Sequence, residues 1–480
     1  MDLHVSFAGR KGLGREIHDQ LRAAIVAGWL RPGDALPPTR ALAARLGVSR
    51  STVTLVYERL GAEGLVTARV GAGTFVTEHA VRLLRVLDGE ERPGALRPRP
   101  VWEDAPSLAL FGRPAEFDLR TGLPDPSFFP RQRWRQLVQR CIRSSGNAVG
   151  SYAQAAGLRS LREAIVRHIA VSRGIRTSVD HVTVTNGIQQ AIDLVARILL
   201  ASGDRVAVED PGYPPPTWLL RRSGMVVRGV PIDEEGLVVS AIPAGSRMVY
   251  VTSSHQYPLG VTMSLARRIA LLEWAEANDA AIVEDDYDGE FRFRNRPIDP
   301  IRTLDGSGRV IYLGTFSKTL SPSLRVGFVV TPPSLTVALR GAKLVADWHT
   351  EATVQAALAR FLDEGGFSRH LRRVVRKYDR RHEALIRAVT EHLGGHLEVV
   401  ATNGGLHVAA RARKASVEAI AEVVARAAEA GVAVHPLSIF AVEEGGALPG
   451  LVMGYGAITA ERVPEAVRRL EDCFRRAGLA

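Results

Sequence analysis

Cysteine is nearly absent: 480 residues hold two, Cys141 and Cys473. Two thiols cannot build a disulfide framework or a four-ligand zinc site. No stretch of about 18 apolar residues is free of charge, which excludes a membrane-spanning helix. The opening Met1-Asp2-Leu3-His4-Val5-Ser6-Phe7 has neither the basic start nor the apolar run of a secretory signal. No internal repeat is visible. Lysine is scarce, so nearly all basic residues are arginine, as in a GC-rich coding sequence. A soluble cytoplasmic protein is the expectation from these absences.

What is present points elsewhere than disorder. Hydrophobic residues make up 46% and charged residues 24%, enough apolar material for a large core. At roughly 100–200 residues per domain, the length implies two to four domains. The formal net charge is +11, which points to an anionic partner such as nucleic acid or a phosphorylated ligand. Three zones follow. Residues 10–77 show short helical patterns ending in a Gly-rich, β-branched stretch. Residues 78–115 centre on Glu91-Arg92-Pro93-Gly94-Ala95-Leu96-Arg97-Pro98-Arg99-Pro100 and read as a linker. Over 116–480, apolar strand-like runs alternate with amphipathic helices, predicting an α/β domain with a mostly parallel sheet.

In the first zone, Ile17, Leu21, Ala24 and Ile25 line one face of a helix predicted over Arg15–Ala27. A proline-built connection follows, and Thr39 is placed to cap a short helix over Arg40–Leu46 that stops at Gly47. Ser49 is placed to cap a second helix running to about Glu63. Two short helices joined by a tight Gly-containing turn give the helix-turn-helix layout. The second helix opens Ser49-Arg50-Ser51-Thr52-Val53-Thr54, small and polar with one arginine, suited to phosphates and base edges in a major groove. Leu65–Arg69 and Gly73–Val76 read as two strands around Val70-Gly71-Ala72, a wing. Residues 1–76 carry a net charge of only +4.

In the third zone, chemistry gathers at strand ends. Gly314-Thr315-Phe316-Ser317-Lys318 follows the run Val310–Leu313, and Arg325 lies seven residues further on. A lysine just beyond a buried strand, ringed by hydroxyls, has the setting of an amine nucleophile beside a phosphate site. Thr185-Asn186-Gly187-Ile188-Gln189-Gln190 joins a strand to a helix, so its N–H groups form an anion site. Glu284-Asp285-Asp286-Tyr287-Asp288 ends another strand with crowded acids, costly unless a cation such as a protonated pyridine pairs with one. Tyr213, after Glu209-Asp210-Pro211-Gly212, can stack on a flat ring. Together these describe a pocket for pyridoxal 5′-phosphate.

Leu36–Ala43, Leu46–Val53 and Gly71–Val76 resemble the winged helix-turn-helix of GntR-type transcription factors. Residues 116–480 resemble fold-type I aminotransferases. The pair of modules looks like the MocR/GabR-type regulators. The resemblance implies operator contacts by Arg40, Arg50 and Thr52, with Ser49 and Ser51 supporting them and Gly71 letting the wing approach the minor groove. It implies that Lys318 holds the cofactor covalently, Asp285 pairs with the pyridine nitrogen, Tyr287 donates to the ring phenolate oxygen and Tyr213 stacks on the ring. Gly187, Ile188, Gln189, Thr315, Ser317 and Arg325 would bind the phosphate, and Tyr152 would reach it across a homodimer interface.

The chain departs from ordinary aminotransferases in three places, one being that the spacing from Asp285 to Tyr287 is one residue shorter than in ordinary enzymes. Ser254-His255-Gln256-Tyr257-Pro258-Leu259-Gly260 has tyrosine where many have asparagine, so that hydrogen bond to the cofactor would pass to another group such as Gln256. Leu451-Val452-Met453-Gly454-Tyr455-Gly456 lacks the arginine that forks onto a substrate carboxylate. His407 and His435 are candidates to line the pocket, with a satisfied structural histidine the favoured reading of each. The expected function is a transcription regulator that senses pyridoxal phosphate or an amine or amino-acid effector, with weakened transamination; the missing arginine favours the vitamin phosphate. A working aminotransferase with a DNA-binding appendage, and a DNA-binding protein with an empty dimerisation scaffold, are the rival readings.

Overall fold

The computed structural model describes residues 12–78, 97–103, 115–144, 152–293, 299–402 and 404–479. The chain divides into two units, Met1–Arg99 and Pro100–Ala480. The division falls within the expected linker, of which 79–96 and 104–114 lie outside the described residues.

The first unit is a small helical core with a wing. Its elements are α1 (Leu13–Val26), β1 (Ala35–Leu36), α2 (Thr39–Leu46), α3 (Arg50–Ala62), β2 (Val66–Arg69) and β3 (Gly73–Val76). Ile17, Leu21 and Ile25 recur at helical spacing on α1 and pack against Val53, Val56 and Leu60 of α3. Buried His18 joins the same helices through a 2.8 Å contact with Glu63. The Tyr57 hydroxyl donates to the Pro37 carbonyl at 2.8 Å, fixing α3 against the proline connection. The sequence placed Thr39 as a cap; it is instead the first residue of α2, whose N-cap is Pro38. Ser49 does cap α3, its Oγ accepting from the Thr52 N–H at 3.1 Å. The expected two-stranded wing has a third strand, because β1 pairs antiparallel with β3 through Ala35–Phe75 and Leu36–Thr74.

The second unit carries the strand runs as expected. They are β4 (Phe117–Asp118), β5 (Val182–Thr185), β6 (Arg205–Asp210), β7 (Val226–Asp233), β8 (Gly236–Leu237), β9 (Ser246–Val251), β10 (Ala281–Asp286), β11 (Val310–Thr315) and β12 (Gly327–Val330). Eight form one sheet in the order β5-β12-β11-β10-β9-β6-β7-β8. The pairs from β11 through β7 are parallel, while β12 runs antiparallel to both neighbours. Both faces are covered: Val283 and Ile311 join Ile192 and Val195 of α4 (Ile188–Leu199) on one side, and Ile282 and Val310 pack with Leu271 on the other. Burial on both faces accounts for the near-continuous apolar runs. A second, antiparallel sheet is made of β13 (Leu397–Val399), β14 (His407–Ala412), β16 (His435–Pro436) and β17 (Gly450–Gly454). The helices Gly366–Leu393 and Val463–Arg476 contribute to its core; β15 (Val432–Ala433) pairs separately with β4. No helix among the described residues is long and apolar enough to cross a membrane.

The parallel register aligns the strand ends: Asp285 lies beside Leu313, Asp286 beside Gly314 and Glu284 beside Val251. Glu209, Asp285 and Thr315 therefore meet at one edge, where α/β sheets bind ligands.

The Ser49 cap yields a stability prediction. Ser49→Ala removes one acceptor from the first turn of α3 and should destabilise the winged unit by about 1 kcal/mol. Chemical denaturation of the full chain, followed by a probe in the first unit, checks this; an unchanged midpoint would remove the cap from the account.

Candidate cofactor pocket and nucleic-acid interface

On the first unit, Arg40 is the second residue of α2 and Arg50 the first of α3, both exposed. Ser51 is also exposed, and Thr52 is half-buried. Ser49 Oγ lies 2.8 Å from both Ser51 Oγ and Thr52 Oγ1, so the three hydroxyls form one cluster at the helix start. Gly71 adopts φ 76 at the wing turn, with open space around its Cα. Arg69 lies over the Phe75 ring at 5.1 Å and stiffens the wing.

The second unit gathers the other predicted residues at the sheet edge. Lys318 Nζ donates to the Gly122 carbonyl at 2.9 Å. Burial pushes its pKa down, opposed by the nearby Asp288 and Asp285 charges. Asp285 is buried; its Oδ2 accepts from the Tyr250 hydroxyl at 2.6 Å, and its Oδ1 has no hydrogen-bond partner among the described residues. Burial raises its pKa to about 7 although the Tyr250 hydrogen bond opposes this. A cationic ring nitrogen would satisfy both the orphaned oxygen and the charge.

The phosphate side is built from α4 and the turn after β11. Gly187 caps α4 with φ 88, and a Cβ there would lie 2.7 Å from Arg325 Nη2. The lack of a side chain thus brings the guanidinium against the helix start. Arg325 donates to the Asn186 carbonyl at 2.8 Å. Ile188 and Gln189 supply first-turn N–H groups, which have no intrahelical acceptors. Thr315 Oγ1 donates to Ser317 Oγ at 3.0 Å and accepts from the Ser317 N–H at 3.1 Å. Tyr213 lies between the two ends: burial and Asp285 raise its pKa to about 12, while Arg325 opposes them. Its ring meets the Tyr257 ring at 5.2 Å, and Tyr257 in turn meets Tyr287 at 5.8 Å.

Some expectations need correction, and some residues were missed. Gln256 cannot take over a cofactor hydrogen bond. Its Nε2 faces Glu209 and the Pro211 and Tyr257 carbonyls, while its Oε1 accepts from Leu259. Tyr257 instead points its hydroxyl at Thr121 Oγ1, 2.6 Å away. Tyr152 is 77% exposed, and its ring lies 4.4 Å from Trp348 rather than in its own chain's pocket. His407 contacts the Pro258 carbonyl at 2.9 Å and His435 contacts Thr121 Oγ1 at 3.3 Å. Burial lowers the pKa of each, His435 to about 4. Thr121, Gly122, Tyr250 and His255 were not singled out as pocket groups. Nothing local marks them: Tyr250 reads as one more apolar strand residue, and Gly122 acts through its carbonyl.

This fold and edge define a pyridoxal-phosphate-dependent, aminotransferase-like domain joined to a winged helix-turn-helix. Residues 119–470 match the family Aminotransferase class I and II, and residues 13–76 match Bacterial regulatory proteins, gntR family. The chain is 36% identical to the probable rhizopine catabolism regulatory protein MocR of Rhizobium meliloti, covering 96% of this chain and 93% of that protein. It is 32% identical to the pyridoxine biosynthesis transcriptional regulator PdxR of Corynebacterium glutamicum, with 82% of each covered. Among solved structures, kynurenine aminotransferase of Pyrococcus horikoshii, in complex with PMP, superposes with TM-score 0.71 at 28% identity, covering 76% of this chain and 92% of that one. LysN, the α-aminoadipate aminotransferase of Thermus thermophilus, complexed with N-(5′-phosphopyridoxyl)-L-leucine, gives 0.69 at 31% identity, covering 75% and 92%. The chain belongs to the MocR-type regulators of the GntR family, with a DNA-binding domain and a pyridoxal-phosphate-dependent domain.

The Asp285 environment has a pH signature in the cofactor-free protein. Its folded pKa, about 7, lies above the ordinary value of 3.8. Its contribution is therefore fully present below about pH 4 and is lost as pH rises through about 7. Asp285→Asn should make the fall in stability between about pH 4 and 7 shallower. Urea unfolding at several pH values checks this; parallel pH profiles for the two proteins would contradict it.

Proposed function

We propose that the regulator works as a cytoplasmic homodimer. Residues 10–77 read the operator, 78–115 link the modules, and 116–480 sense an effector through bound pyridoxal phosphate. The observation carrying the cofactor reading is the buried, unpartnered Asp285 Oδ1 at the same sheet edge as Lys318 and the Gly187–Arg325 cradle. When bound, the cofactor supplies an aldehyde that exchanges between amines. Lys318 is the amine that holds it, its lowered pKa keeping more of the nucleophilic neutral form available. Asp285 keeps the ring nitrogen protonated, Tyr213 covers the ring and Tyr287 faces the phenolate oxygen. Gly187, Ile188, Gln189, Thr315, Ser317 and Arg325 hold the phosphate.

Exposed Tyr152 and Trp348 suit a surface that a second copy covers, from which Tyr152 reaches the partner's phosphate site. The effector is either pyridoxal phosphate itself or an amine that displaces Lys318. Binding shifts a two-state equilibrium between arrangements of the winged units on DNA. Arg50 reads base edges, Arg40 grips phosphate, and Thr52 adds a contact. Ser49 and Ser51 hold the helix start, and Gly71 lets the wing approach the minor groove.

Two experiments test this. A gel shift on the DNA upstream of the gene, with and without pyridoxal phosphate, should show cofactor-dependent affinity in the wild type. Lys318→Ala should lose both that dependence and the covalent cofactor absorbance. Sustained amino transfer at enzyme-like rates, with DNA affinity indifferent to the cofactor, would overturn the sensing role. Arg50→Ala should weaken operator binding by roughly tenfold or more, consistent with about 1–3 kcal/mol for a bidentate base contact, without altering the unfolding midpoint. Operator affinity should also fall as salt rises. Salt-insensitive binding would remove α3 from the DNA interface.

A further inference from the structure

His255 occupies a slot that exists because two neighbours have no side chains. A Cβ on Gly405 would lie 2.0 Å from His255 Cε1, and a Cβ on Gly260 would lie 3.0 Å from its Nε2. Gly405 also has φ 84, which other residues rarely adopt. The imidazole held there contacts three side chains from two segments. Its Nδ1 lies 3.0 Å from Asp288 Oδ2 and 2.9 Å from the Tyr287 hydroxyl, and its Nε2 lies 3.1 Å from Thr402 Oγ1. His255 and Asp288 are both buried.

The proton positions follow from donor chemistry. A carboxylate oxygen only accepts, so the hydrogen between Asp288 and His255 sits on Nδ1. Tyr287 then faces an N–H and cannot give its own proton to that nitrogen. Its oxygen accepts there, and its O–H is left to point away from His255. We propose that Asp288 and His255 form a positioning pair that turns the Tyr287 proton into the cofactor pocket. Through Thr402 and Gly405 the same pair ties that proton to the segment leading into β14. This rests on the reading that the pocket holds pyridoxal phosphate with its phenolate oxygen facing Tyr287. Lys318, Asp285, Glu209, Tyr257, Tyr455 and His407 also face this corner: Asp285 and Asp288 act on both Tyr287 and Lys318, Glu209 and Tyr257 act on Tyr287, Asp288 acts on Tyr455, and the His407 ring lies 5.0 Å from that of His255. Arg292, from the strand-end segment, donates to the Ser254 carbonyl.

The test reads the pH midpoint of the bound cofactor's absorbance. A phenolate oxygen that loses a donated hydrogen bond becomes more basic and holds the neighbouring proton more tightly. Tyr287→Phe should raise the midpoint by about one unit, the size expected of a hydrogen bond to a charged acceptor. The double variant His255→Leu with Asp288→Asn, which leaves no carboxylate unpaired, should raise it in the same direction. Combining all three changes should move it no further than Tyr287→Phe alone. His255→Asn, which keeps an N–H near the Nδ1 position, should stay near the wild type. A double variant that titrates like the wild type, or shifts that add in the triple variant, would overturn the pairing. A wild type that takes up pyridoxal phosphate with no titrating band would overturn the pocket assignment, and the pairing with it.

Discussion

Carboxylates buried at the ends of parallel strands must be compensated, and that requirement organises the large domain. Three acids at this edge are held by the protein itself. Glu209 receives the Thr252 amide, the Thr252 hydroxyl and Gln256. Glu284 receives Ser253 and the Ile301 and Arg302 amides, with Arg268 beside it. Asp286 pairs with Arg173 and accepts from Tyr312. Asp285 differs, having a hydrogen bond from Tyr250 but no ion pair among the described residues. An isolated buried charge is expensive. On the proposed assignment the pyridinium of the cofactor would supply that counter-charge, so the ligand would complete the site electrostatically.

Much of this was legible in the sequence because the relevant signals are local. Apolar runs such as Val310–Leu313 mark strands buried on both faces, and the acids, glycines and lysine that follow them mark the edge where the runs end. Ser49 and Gly47 punctuate the helix-turn-helix in the same local way. What escaped reading was contributed across long separations. The Lys318 amine rests on the carbonyl of Gly122, a residue whose type says nothing about that contact. His255 matters through Gly405 and Asp288, which only the fold brings together. Gln256 was misread because its position beside the turn suggested the cofactor, whereas the buried carbonyls of its own loop claim its amide. The short strand Ala35–Leu36 was hidden by flanking prolines, and only its pairing with the wing reveals it.

The charge balance assigns the anionic partners to particular surfaces. The winged unit has little net charge, so the proposed DNA reading rests on where Arg40 and Arg50 stand rather than on how many cations the unit carries. Both lie in the first turns of helices whose other faces are committed to the core through Leu42, Val53 and Val56. In the proposed pocket the cofactor phosphate would meet one guanidinium and a helix start rather than a broad basic patch.

The segment without the expected arginine is understood through its packing. Val452 faces a cluster with Tyr257, Leu437 and Phe440, against which Tyr213 and Tyr287 also pack. This wall of the pocket is therefore apolar and aromatic. The nearby guanidinium of Arg120 is held by Asp118, and that of Arg381 by Asp125 and the Tyr455 and Gly456 carbonyls. Each would have to give up its ion pair with a half-buried acid to reach a substrate carboxylate. Thr121, Tyr257 and His435 meanwhile offer neutral hydrogen-bonding groups in one chain. This wall thus offers its occupant shape and neutral polar contacts, in keeping with the proposed sensing role.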